Sequence, residues 1–155
     1  MAESLKASSF DITALTEAIA AAPDAKAAMQ IAVERLKEEL PHYTWVGIYL
    51  LEGDELVLGP YLGKPSPHTR IPLNRGICGA AASQKQTIIV DDVNSDPRYL
   101  ACSLETKSEI VVPILRDERV VGEIDIDSDR AAAFGSGDRV LIETVAQALA
   151  VRMRE

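Results

Sequence analysis

Apolar and polar positions change period several times along this chain, and each change marks an element. Met29, Val33, Leu36 and Leu40 recur at helical spacing, the stripe of a helix that buries one side. Pro23-Asp24 opens that helix, with the proline at a tolerated first-turn position and the acid near the positive helix end; Pro41 stops it. A shorter helix is predicted over Asp11 to Ala21. From Tyr43 to Leu51 the pattern becomes that of a strand. Gly53-Asp54 turns the chain, and Glu55 to Leu62 reads as the hairpin partner. Arg70 to Leu73 and Thr87 to Val90 are short strands, with a Gly/Ala-rich short helix over Gly76 to Ser83 between them. Ile110 to Leu115 and Val120 to Asp127 form a second hairpin. A last helix, capped by Ser136 or Asp138, turns Val140, Leu141, Val145, Ala148 and Leu149 inward. This order predicts one α+β domain over residues 1–155, an antiparallel sheet with helices packed on one face.

The 155 residues are 47% hydrophobic, enough for one core without disulfides or a metal. The net charge of −8 argues against nucleic acid and against anionic membrane surfaces as partners. Met1 to Lys6 does not read as a secretory signal, and no apolar run is long enough to span a membrane. A cytoplasmic location is expected, where the two cysteines stay reduced. Two cysteines and two histidines lack the close spacing of a zinc motif, so no metal is expected.

Candidate chemistry concentrates in four places. Asp91 to Ser108 is a long loop without periodicity, and it carries Cys102; such loops are often functional. Arg98 and Lys107 are nearby sources of positive charge for a reactive thiol there, and an ordinary loop cysteine is the alternative. Trp45 and Tyr49 share a strand face, either as core or as an aromatic wall for a small ligand. Glu123, Asp125 and Asp127 also share a face, each roughly 7 Å from the next. That face is either solvated or, since strands are poor in Asp, built for a ligand cation or a protonated acid. Cys78 sits at a helix start, where the dipole lowers a thiol pKa, or is a small buried residue. His68 and His42 read as solvated side chains.

Taken in order, several blocks resemble the free methionine-(R)-sulfoxide reductase family, a catalytic branch of the GAF-domain proteins. They are Trp45-Val46-Gly47-Ile48-Tyr49, Leu58-Gly59-Pro60-Tyr61, Arg75-Gly76-Ile77-Cys78-Gly79, Ile89-Val90-Asp91-Asp92-Val93, Ala101-Cys102, Ser108 to Pro113, and Gly122-Glu123-Ile124-Asp125-Ile126-Asp127. The resemblance implies a GAF-like fold and an oxidoreductase without a cofactor. Its substrate would be free methionine sulfoxide. By position Cys102 matches the catalytic cysteine, Cys78 a second family cysteine, Glu109, Asp125 and Asp127 the pocket carboxylates, and Trp45 and Tyr49 the aromatic wall. It also implies recycling through a disulfide that thioredoxin reduces. Many members carry a third cysteine, the usual disulfide partner, where this chain has His68. A Cys78–Cys102 disulfide is therefore expected, with resolution by an external thiol as the alternative. A homodimer is compatible with this reading. The rival readings are a non-catalytic GAF sensor of a small ligand and a thiol peroxidase.

Overall fold

The computed structural model describes residues 9–101 and 103–153; Cys102, the expected nucleophile, lies outside the described residues. Helix α1 (Ile12–Ala21) starts at Asp11, whose side chain accepts a hydrogen bond from the Ala14 amide at 3.0 Å. Helix α2 (Ala25–Glu39) starts in the same way at Asp24, which accepts from the Ala27 amide at 2.8 Å. A short polar side chain there satisfies an amide that has no partner within the helix. Pro23 thus precedes the cap rather than occupying the first turn.

Strands β1 (Trp45–Glu52), β2 (Glu55–Leu62) and β3 (Arg70–Pro72) lead into helix α3 (Gly76–Gln84). Strand β4 (Ile88–Val90), a 3-10 turn (Val93–Ser95), β5 (Ser108–Arg116), β6 (Arg119–Ser128) and helix α4 (Ser136–Arg152) follow. The six strands form one antiparallel sheet in the order β3-β2-β1-β6-β5-β4. The α+β class and both hairpins agree with the sequence pattern.

The sheet is buried on both faces. Val46, Ile48, Ile110, Val112, Ile114, Ile124 and Ile126 meet α1, α2 and α4 in the larger core. Trp45, Tyr49 and Val111 point the other way and meet Ile77, Cys78, Ala81 and Ala82 of α3. Three helices therefore lie on the expected face, and α3 covers the opposite one. Small residues let it approach closely: a Cβ at Gly79 would stand 2.8 Å from the Leu73 carbonyl oxygen.

Asp138 and Arg152 tie the two ends of α4 to the rest. Asp138 is fully buried; one oxygen accepts from the Gly135 amide at 2.8 Å, and the other accepts from the Tyr43 hydroxyl. Gly135 is thus the N-cap, and Asp138 acts from the first turn of α4. At the far end, Arg152 donates to the carbonyls of Ile19, Ala20 and Ala22, each at 2.8 Å, placing a cation at the negative end of α1. Leu141, Ile142, Val145 and Leu149 form the inner face of α4, Ala148 is half-buried, and Val140 is 65% exposed, contrary to expectation. The i, i+4, i+8 row through Leu141 sets the buried side, and Val140 falls outside it. His42 is also not solvated: it is buried, with its ring edge-on to Tyr43 at 4.7 Å. Among the described residues no helix is long and apolar enough to cross a membrane.

Replacing Asp138 by Ala removes a helix cap and strands a buried tyrosine hydroxyl. The variant is expected to lose about 2–3 kcal/mol in chemical denaturation, with Asp138→Asn losing less.

Candidate active site

Strand alternation and register assemble the site on the α3 side of the sheet. Trp45 pairs with Asp127, Gly47 with Asp125 and Tyr49 with Glu123 across β1 and β6. Glu109 pairs with Asp127 across β5 and β6, and with Val90 across β4 and β5. Directly paired residues share a face, so four carboxylates and two aromatic rings converge there.

Gly47 explains how Trp45 lies. A Cβ at residue 47 would stand 2.3 Å from the far edge of the Trp45 ring, so the indole lies across the glycine. Tyr61 stacks on it at 5.5 Å, Tyr49 stands 6.5 Å away, and the indole N–H donates to the Lys64 carbonyl at 2.9 Å. Trp45 and Tyr49 are both buried, and Trp45, but not Tyr49, lines a cavity of about 110 Å³ with Asp127, Thr44, Lys64, Ser103 and Thr106. That is far below the ~300 Å³ of a drug-sized pocket and suits a small molecule.

The acids are not a solvated face. Glu109, Asp125 and Asp127 are 4–5% exposed, and Glu123 is completely buried. Burial pushes the carboxyls of Glu123, Asp125 and Asp127 up, and the Asp125 charge raises Asp127 and Glu123 further. Glu109 hydrogen-bonds both Asp125 and Asp127. A carboxyl–carboxyl hydrogen bond needs a proton between its oxygens, so the cluster retains protons that exposed acids lose.

The structure corrects the expected effect at Cys78. Its thiol donates to Asp125 Oδ2 at 3.4 Å and lies against Glu123. Burial first, and then the charges of Asp125, Glu123 and Glu109, drive its pKa up, which outweighs the helix dipole. Cys78 is a held thiol, and no thiolate forms readily there.

The neighbours of Cys102 border this region. Ala101 O lies 3.0 Å from His68 Nε2, and Ser103 lines the cavity. His68 is half-buried rather than solvated, and its own carbonyl accepts from the Tyr49 hydroxyl at 2.8 Å. Lys64 pairs with Glu105 at 2.9 Å, and Ser103 and Lys64 together hold the Glu105 carboxyl down at about 2. Segment 63–69 therefore joins the aromatic wall to the chain on both sides of residue 102. Arg98, expected to serve a thiolate, is engaged by Asp96 at 2.7 Å. Tyr61 had no assigned role from the sequence, and Glu123 was placed only on the shared acidic face; the pairing of Tyr61 with Gly47 across the hairpin is the signal that places Tyr61 beside Trp45.

Raised carboxyl pKa values mean that the folded state binds protons the unfolded chain releases above about pH 4. Their stabilisation is complete below that pH and is lost as pH rises through the folded values. The melting temperature is expected to fall from about pH 5 upward, and Glu123→Gln, which cannot ionise, should flatten that fall in thermal scans.

The GAF-domain family model matches residues 24–153. A free methionine-R-sulfoxide reductase of Escherichia coli (strain K12) is 41% identical over 103 residues, covering 66% of this chain and 62% of the relative. The solved type II free methionine-R-sulfoxide reductase of Thermoplasma acidophilum is 42% identical with a TM-score of 0.80, covering 82% of this chain and 90% of that one. The free methionine-R-sulfoxide reductase of Neisseria meningitidis, solved with its substrate, is 37% identical with a TM-score of 0.87, covering 91% and 84%. The chain belongs to the GAF-domain family, in the branch that includes the free methionine-R-sulfoxide reductases.

Proposed function

We propose that this protein reduces free L-methionine-(R)-sulfoxide to methionine with Cys102 as nucleophile. The observation that carries the reading is the buried, proton-sharing cluster of Glu109, Asp125 and Asp127 beside Trp45 and the small cavity. Such a site offers a proton donor, an anionic seat for an α-ammonium group and an apolar wall, all within the reach of one amino acid.

The Cys102 thiolate attacks the sulfoxide sulfur. Asp127 or Glu109 gives its proton to the sulfoxide oxygen, and burial, which raises the Asp127 carboxyl, favours that proton being held until it is needed. The oxygen passes to Cys102, which becomes a sulfenic acid as two electrons move to the substrate sulfur, and methionine leaves. Asp125 and its neighbours hold the ammonium group, while Trp45 and Tyr49 pack against the side chain. A methionine within a polypeptide lacks that ammonium group and does not fit a cavity of about 110 Å³.

In the recycling step Cys78 attacks the sulfenic acid, releasing water and forming a disulfide, which the dithiol of thioredoxin reduces. In the resting site the Cys78 thiol donates to Asp125 Oδ2 at 3.4 Å. A cytoplasmic location supplies the reducing surroundings this cycle needs. A GAF sensor would keep the pocket without needing Cys102, so turnover separates the two readings.

Cys102→Ser is expected to reduce turnover to background with the fold intact, and Asp127→Asn or Glu109→Gln to lower it about 100-fold or more. The R epimer should react, and the S epimer and N-acetylated substrate should not. Near wild-type turnover by Cys102→Ser would refute the mechanism. Peptide mapping after substrate is added without reductant should find Cys78 joined to Cys102. Absence of that bond, with thiol-driven turnover kept in Cys78→Ser, would assign resolution to an external thiol.

A further inference from the structure

We propose that Cys78, Glu109 and Asp125 form a binding site for one divalent cation of the zinc class, filled when the substrate is absent. Each offers one ligand atom, and these atoms lie within 4.8 Å of one another in a buried cluster drawn from α3, β5 and β6. A tetrahedral ion, with bonds of about 2.3 Å to sulfur and about 2.1 Å to oxygen, separates two such ligands by about 3.6 Å. The Cys78 Sγ to Asp125 Oδ2 distance is 3.4 Å, already that edge.

A second observation is independent of these three ligands. Both carboxylate oxygens of Glu123, and Oδ1 of Asp127, are buried without a hydrogen-bond donor among the described residues. Glu123 is fully buried and lies against the Cys78 thiol from one side, and Asp127 faces the cavity on the other. Buried carboxylate oxygens without donors are acceptors in want of a cation, and they surround the three ligands with negative charge, leaving the fourth position to water.

The donor set selects the metal. Magnesium and calcium require six or more oxygens, whereas one sulfur and a few oxygens suit a small borderline ion. On binding, the Cys78 S–H bond breaks and a sulfur–metal bond forms; that proton and the one shared between Glu109 and Asp125 leave to solvent, and no electrons are transferred. A bound ion occupies the seat of the substrate ammonium group and removes the second thiol from use. It therefore inhibits reduction in competition with substrate, a consequence that rests on the function proposed above.

Cobalt(II) serves as the probe, titrated into the full-length protein without substrate or reductant. The expected result is a thiolate-to-cobalt charge-transfer band in the near ultraviolet, displaced by an equivalent of zinc. It should vanish in Cys78→Ser, persist in Cys102→Ser, and require at least tenfold more cobalt in Asp125→Asn, each variant checked for folding by circular dichroism. No band in the folded wild type, or a band that survives Cys78→Ser and is lost in Cys102→Ser, would overturn the site. The readout needs no turnover, so its failure is separable from failure of the proposed reaction.

Discussion

Burial of four carboxylates and a thiol on one sheet face is the constraint on which the rest of this structure depends. An ionised carboxylate out of water is so unfavourable that the group takes up a proton or finds a cation. Burial pushes the carboxyls of Glu123, Asp125 and Asp127 toward the first condition, and the Asp125 charge adds to it for Glu123 and Asp127. The second condition is the one that the proposed occupants, a substrate ammonium group or a divalent ion, would meet. Storage of protons and appetite for cations are thus two consequences of the same desolvation.

That condition is imposed by layering. The antiparallel sheet sends alternate residues to opposite sides, and α1, α2 and α4 take one side with an apolar core. On the other side α3 must lie close enough to exclude water. Ile77, Cys78, Ala81 and Ala82 supply that cover, and Gly79 lets the helix close against the Pro72 and Leu73 carbonyls.

The aromatic wall and the loop that carries Cys102 are joined by segment 63–69. Trp45 donates to the Lys64 carbonyl, Tyr49 to the His68 carbonyl, and the His68 ring meets the Ala101 carbonyl at 3.0 Å. The exposed Lys64–Glu105 pair adds little energy of its own but fixes the same register. Residue 68 thus sits beside the chain next to residue 102.

Much of the fold was legible because its causes are local. The alternation of Val46, Ile48, Ile124 and Ile126, the acid at the start of the second helix, and the hairpin turns are short-range features of the chain. The grouping of Glu123, Asp125 and Asp127, and of Trp45 with Tyr49, followed from strand periodicity in the same way. The side of the sheet taken by α3 was not legible, because nothing within Gly76–Gln84 says which face it covers. Two consequences followed only from that placement: the acids are buried, and the Cys78 thiol rises where an isolated helix start would lower it. Burial of His42 and exposure of Val140 were likewise settled by packing. Sequence determined which residues share a face; tertiary structure decided which faces lose their water, because desolvation depends on neighbours distant along the chain.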